Sequence, residues 1–166
     1  MTDPHQLLHD VFGFSSFRGV QGVVVDRVMA GQNTLAVMPT GAGKSLCYQL
    51  PAVAKEGTAI VISPLIALMQ DQVQALRQSG VQAAFLNSSL SYDASRRVEA
   101  NVVAGRTDLL YVAPGRLLTD RFQNFLEQFP VALFAIDEAH CVSQWGHDFR
   151  PEYLQINRVT GRFPDA

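Results

Sequence analysis

No apolar run in this chain reaches the roughly 18 residues that a membrane-spanning helix needs, and no basic-then-apolar stretch opens it as a secretory signal would. A cytoplasmic protein with no membrane partner is therefore expected. Cysteine is scarce. Cys47 and Cys141 lie far apart and outside any C-x-x-C pair, so neither a disulfide framework nor a zinc site is expected, and both read as ordinary thiols in a reducing compartment. An excess of one charge is missing too: 13 Lys and Arg face 15 Asp and Glu, a formal net charge of −2. A nucleic-acid partner would have to be held by local groups rather than by a global field. Repeats, linkers and low-complexity segments are also absent.

What remains is enough apolar material for one core. With 166 residues and 48% hydrophobic content, a single globular domain is the default. Residues 3 to 12 read as a short helix with Leu7, Leu8 and Val11 on one face. Gly13 breaks it, and Ser15 or Ser16 caps a second helix from about Arg18 to Ala30, closed by Gly31. Residue type alone puts Phe14 and Phe17 in the core. Asn33 to Met38 reads as a first strand, followed by a helix through Leu46, Leu50 and Val53. Further strands are expected at Thr58–Ser63, Val81–Leu86, Thr107–Val112 and Val131–Ile136. Between them lie a helix starting at Ser63-Pro64 with Leu65, Leu68, Met69, Val73 and Leu76 inward, and another capped by Ser91. The last, after Pro114, buries Leu118, Phe122, Phe125, Leu126 and Phe129. Strands alternating with amphipathic helices predict an α/β fold with a doubly wound, mostly parallel sheet, whose ligand site lies at the carboxyl edge.

Two motifs fall at that edge. Thr40-Gly41-Ala42-Gly43-Lys44-Ser45 follows a strand-like run and opens a helix, the arrangement that turns backbone N–H groups and a helix N-terminus toward phosphate oxygens. Lys44 would reach the terminal phosphates and the Ser45 hydroxyl would ligate Mg²⁺. Met38 stands where the general pattern has its first glycine. Asp137-Glu138-Ala139-His140 leaves the last strand, and parallel pairing would bring its acids to the same phosphates. Asp137 would share the metal with Ser45, Glu138 would orient the attacking water, and His140 would link the nucleotide site to its neighbours. A rival metal set of His140, Cys141, His147 and Asp148 matches no closed zinc spacing. Trp145, the single tryptophan, sits in a polar aperiodic run where core packing and exposed stacking are both open.

At these residues the chain resembles the RecQ family of DNA helicases, in the second helicase superfamily. The resemblance is carried by Phe12-Gly13-Phe14 with Phe17-Arg18 and Gln21, by Met38 to Ser45, by Ser63 to Val73, by Tyr111-Val112-Ala113-Pro114, and most specifically by the run from Asp137 to Tyr153. It implies a RecA-like P-loop domain. Phe14 would stack on adenine, Gln21 would read its edge and Arg18 would support that pocket. Ser63, Gln70 and Gln72 would lie near single-stranded DNA, and Ser143, Gln144, Trp145, His147, Phe149 and Arg150 would sense it and report to the ATP site. The implied reaction is ATP hydrolysis with Mg²⁺, driving 3′-to-5′ movement and opening of duplex or forked DNA in repair or recombination. The implied location is the cytoplasm, or the nucleoid in a bacterium.

Three departures qualify the resemblance. Gly19 stands where the family has proline, which should loosen the helix start, and Gly115 stands where glutamate is usual. The chain also ends at Ala166, before the family's Ser/Thr-Ala-Thr strand and second RecA-like domain. That strand would insert between the phosphate-loop strand and the Asp137 strand, so the sheet is expected to be open there. Residues 1–31 are expected to form N-terminal helices with the adenine motif, and 32–166 an incomplete first motor domain. The alternatives are a non-catalytic nucleotide- or DNA-binding fragment and an RNA helicase of the DEAH type.

Overall fold

The computed structural model describes residues 3–38, 43–137 and 155–166. Its framework is a parallel sheet in the order β2-β3-β1-β4, formed by β1 (Thr58–Ile62), β2 (Ala83–Leu86), β3 (Leu109–Val112) and β4 (Val131–Ile136). Ile62 pairs with Val112 and with Ile136, and Leu86 pairs with Val112, so the four strands end level with one another. The residues that follow them, Ser63, Asn87, Ala113 and Asp137, therefore stand along one carboxyl edge.

Period-two alternation sends each strand's side chains into two cores. On one face Ile60, Ile62, Ala84, Leu86, Leu110 and Val112 pack with α5 (Tyr92–Val103), α6 (Pro114–Leu117), α7 (Asp120–Leu126) and α8 (Ile156–Thr160). On the other, Ala59, Val61, Ala83, Leu109, Tyr111 and Leu133 meet α3 (Leu46–Ala54) and the Met69, Val73, Leu76 stripe of α4 (Ile66–Gln78). A smaller cluster of Leu7, Leu8, Val25, Leu46, Leu50 and Ala54 fixes α1 (Pro4–Asp10) and α2 (Gln21–Met29) against α3. The expected doubly wound α/β architecture is realised. Where the ends of β1 and β4 meet, Thr58 N–H donates to Pro130 O at 3.0 Å, and Gly57, at φ +96°, leaves no room for a Cβ, which would lie 2.6 Å from that carbonyl.

Several expectations need correction. Asn33 to Met38 is not a strand: Leu35 is 77% and Val37 86% exposed. An apolar run becomes a strand only with a ladder partner for its N–H and C=O groups, and among the described residues β4 pairs on one side only, with β1. The second helix begins at Gln21 without help from Ser15 or Ser16. Gly19 sits at φ +54°, which a proline ring cannot adopt, and the Gln21 side chain takes over the start by accepting from Arg18 N–H at 2.8 Å. The helix α4 starts at Ile66 rather than after Ser63, whose hydroxyl instead accepts from Leu65 N–H at 3.2 Å. Leu68 falls off its buried stripe and is 51% exposed. The stretch after Pro114 forms two helices, because the Thr119 hydroxyl caps α7 by accepting from Phe122 N–H at 3.3 Å. Phe17 is partly buried against the small cluster, but Phe14 is 49% exposed, contrary to the reading from residue type.

Candidate functional site

The helix α3 opens at the carboxyl edge with Lys44 exposed and Ser45 half-buried, and its first turn carries no acidic side chain to satisfy its free N–H groups. That leaves an N-terminus suited to anionic oxygens. Gly43, at φ +74°, lies so close to Gln21 that a Cβ would stand 2.3 Å from its amide nitrogen. Gln21 is buried, and its Nε2 donates to the Gly43 carbonyl at 3.1 Å. The N-terminal segment is thus bonded directly to Gly43, at the end of the glycine-rich run. Arg18 is exposed beside it. Thr40, Gly41 and Ala42 lie outside the described residues.

Asp137 reaches the same place from the sheet. Its N–H donates to the Ile62 carbonyl at 2.9 Å, which extends the parallel ladder one residue past β4. Leu133, Ala135 and Asp137 alternate onto the face that carries Tyr111 and α3. The Tyr48 hydroxyl, one turn along α3 from Ser45, registers the convergence. Burial pushes its pKa well above the ordinary tyrosine value, helped by Tyr111 and by the negative charge of Asp137, while a hydrogen bond with the Ser45 side chain acts the other way. Tyr48 and Tyr111 hydroxyls lie 3.2 Å apart, and Gln49 Nε2 donates to Tyr111 Oη at 3.1 Å. Burial also raises Tyr111, with Asp137 adding to the effect.

A hydroxyl and one carboxylate, both hard oxygen donors, suit Mg²⁺, which takes one or two carboxylates together with substrate phosphates and water rather than an all-protein cage. Among the described residues no group of three or more His, Cys, Asp or Glu side chains comes together. Glu138, His140 and the rival set of His140, Cys141, His147 and Asp148 lie outside the described residues, as do Ser143, Gln144, Trp145, Phe149 and Arg150. Cys47 is a buried free thiol whose pKa burial raises, in keeping with an inert core cysteine.

Farther along the edge, Ser63 is buried, Gln72 half-buried and Gln70 exposed. Gln70 Nε2 donates to Ser89 Oγ at 3.3 Å, and the buried Asn87 accepts from Ser89 N–H at 2.8 Å. Asn87, Ser89, Tyr48 and Gln49 were not singled out in the sequence, and Tyr111 was marked only within the run Tyr111-Val112-Ala113-Pro114, with no role in the site. The available signal for Tyr48 was its place one helical turn after Ser45. Tyr111 offered only a polar tip inside an apolar strand.

The sequence agrees with this geometry. The model of the DEAD/DEAH box helicase family matches residues 18–164, and the chain belongs to that family. Within it the similarity is to RecQ helicases. The chain is 49% identical over 160 residues to an ATP-dependent DNA helicase RecQ of Haemophilus influenzae, covering 96% of this chain and 26% of that protein. To the Bacillus subtilis ATP-dependent DNA helicase RecQ it is 50% identical over 151 residues, covering 90% and 26%. To ATP-dependent DNA helicase Q1 of Pongo abelii it is 41% identical over 167 residues, covering 96% and 26%. The chain spans about a quarter of the length of these relatives. Its parallel sheet with helices on both faces is that of a RecA-like helicase domain. No helix among the described residues is long and apolar enough to cross a membrane.

Proposed function

We propose that the protein carrying this chain is an ATP-dependent DNA helicase, and that this chain supplies the phosphate-holding half of its motor, with residues 1–31 as the adenine-side helices and 32–166 as part of the first RecA-like domain. The observation that carries the reading is that Asp137, bonded through its N–H to the Ile62 carbonyl at the carboxyl edge of a parallel sheet, follows the strand whose Leu133 and Ala135 pack in the same cluster as Tyr48 of α3, the helix that Ser45 opens. Phosphoryl transfer asks a protein mainly for positioning and charge neutralisation, and these residues can provide both.

In this mechanism the N-terminus of α3 and the ammonium of Lys44 take the β- and γ-phosphate oxygens, and Lys44 offsets the charge that builds on the γ-phosphoryl group during transfer. Ser45 and Asp137 would hold Mg²⁺, which would supply charge neutralisation at the phosphates. Glu138 orients the attacking water, and His140 passes the state of the site to neighbouring segments. Phe14, half exposed on the loop before α2, offers a face for adenine, with Arg18 beside it. To read the adenine edge, the Gln21 amide would have to share or exchange its bond to Gly43. Ser63, Gln70 and Gln72 border the single strand, and the segment from Ser143 to Arg150, with Trp145 at its centre, couples that strand to ATP turnover. The direction 3′ to 5′, forked substrates, a second RecA-like domain, a role in repair or recombination, and a cytoplasmic or nucleoid location belong to the same proposal.

The test is ATP hydrolysis by the full-length protein with single-stranded DNA, with RNA of the same sequence, and with neither. Stimulation by DNA well above that by RNA is expected, and Trp145→Ala should lose most of that stimulation while keeping the basal rate. Equal stimulation by RNA would favour an RNA helicase, and undiminished DNA stimulation in Trp145→Ala would remove the sensing role.

A further inference from the structure

The first turns of α3 do more than present Lys44 and Ser45. Tyr48 and Gln49 both reach a single atom on the neighbouring strand, the hydroxyl oxygen of Tyr111, at 3.2 and 3.1 Å. Tyr111 is wholly buried within β3, between apolar neighbours on a strand where phenylalanine would fill the space equally well. A hydroxyl in such a place is costly unless bonded, and among the described residues its partners, Tyr48 and Gln49, both come from α3. The two rings meet edge to face, with centroids 6.4 Å apart and planes at 71°.

The geometry fixes what this contact controls. Two bonds from adjacent helix residues to one buried point restrain α3 against both sliding and rotation on the sheet. Ser45 lies one turn before Tyr48, on the same side of the helix. Val61 pairs with Tyr111 on one side and with Ala135 on the other, so Asp137 is reached from Tyr111 across two strand spacings on the same sheet face. The tyrosine pair is thus a direct hydrogen-bonded tie between the helix that carries Ser45 and the sheet that carries Asp137, beside the apolar packing of Ala52 and Val53.

We infer that the Tyr48–Tyr111 hydroxyl pair, anchored by Gln49, is a positioning element that sets Ser45 and Asp137 at the separation a magnesium-bound nucleotide requires. The inference rests on the functional reading above. Neither tyrosine touches substrate; each acts through Ser45 and Asp137. Losing the pair should leave the α3 N-terminus and Lys44 able to hold phosphates without metal, while weakening the extra affinity that metal confers.

The experiment measures binding of a fluorescent ATP analogue to the full-length protein in EDTA and in Mg²⁺, for wild type, Ser45→Ala, Tyr48→Phe, Tyr111→Phe and the double Tyr→Phe variant, with a thermal melt of each. A net hydrogen bond of about 1 kcal/mol corresponds to roughly fivefold in affinity. Each Tyr→Phe change should therefore cut the Mg²⁺-dependent gain by roughly three- to tenfold, with the EDTA affinity within about twofold of wild type. The double variant should be no worse than Tyr111→Phe, which already loses both bonds to the Tyr111 hydroxyl. If Tyr111→Phe melts below the assay temperature, Tyr48→Phe, whose ring is only half-buried, carries the test. The inference is overturned if the Phe variants keep the wild-type gain, or if they lose affinity equally in EDTA and Mg²⁺, as a merely structural role requires. A wild-type gain abolished by Ser45→Ala but untouched by Tyr→Phe defeats this inference alone. No Mg²⁺-dependent gain in wild type defeats the functional reading and this inference with it.

Discussion

Two apolar runs of similar length behave in opposite ways in this molecule. Thr58-Ala59-Ile60-Val61-Ile62 is a central strand, buried along its whole length and paired on both sides. Asn33-Thr34-Leu35-Ala36-Val37-Met38 has comparable β-forming residues, yet it forms no strand and leaves Leu35 and Val37 in solvent. The difference is not propensity but partners. β1 is flanked by β3 and β4, which satisfy its backbone groups and allow its two faces to enter two cores. The 33–38 run lies next to the phosphate loop without a ladder among the described residues, touching α3 through Met38 Sδ and Cys47 Sγ at 3.8 Å. One run is buried in the centre of the sheet, whereas the other is exposed and leads in sequence to the glycine-rich segment of the proposed nucleotide site.

That contrast can be broken by experiment. The largest effect is expected at the chemical end: Lys44→Ala in the full-length protein should lower ATP turnover by about 10³-fold or more, on the order of 4 kcal/mol of transition-state stabilisation. Because Lys44 is exposed, its melting temperature should not move. A large loss of thermal stability would show that the loop bears on the core after all. Next comes Ile60→Ala, which removes a side chain with no solvent exposure from the middle of β1 and should cost about 3 kcal/mol, read from denaturant unfolding. A cost under about 1 kcal/mol would mean that β1 is not the centre of the core. Smallest is Val37→Ala, expected to change stability by less than about 0.5 kcal/mol, as for other exposed positions. A cost comparable to Ile60→Ala would mean that the 33–38 run is packed in the full-length protein, and the contrast would fail.

Much of the fold was legible in the sequence because its signals are local. Helix stripes such as Met69, Val73 and Leu76, and the apolar runs of β1, β3 and β4, need no knowledge of the partner to be read. The 33–38 segment was misread because pairing is a tertiary fact. Thr119 was missed because a cap within an apolar helical pattern looks like an ordinary polar position until its hydroxyl is seen on Phe122 N–H. Lys44, Ser45 and Asp137 stand out as candidates in the sequence because glycine loops and paired acids have recognisable local patterns. Tyr48 and Tyr111 do not, since 63 residues separate them and only the sheet brings their hydroxyls together. The Gln21 bond to Gly43 was hidden for the same reason: residue type marked each partner, but nothing in the sequence joined them.

In the proposed function Asp137, which follows β4 at the carboxyl edge, serves a magnesium-dependent nucleotide site at the N-terminus of α3. The most direct measurement is DNA-stimulated ATP hydrolysis by the full-length protein as a function of Mg²⁺ concentration, for wild type and Asp137→Asn. The account predicts that wild type hydrolyses ATP only when Mg²⁺ is present and that Asp137→Asn loses on the order of 10²- to 10³-fold at every Mg²⁺ concentration, since a neutral amide cannot replace a carboxylate at a hard cation. Turnover in Asp137→Asn equal to wild type at the same Mg²⁺ concentration would contradict it.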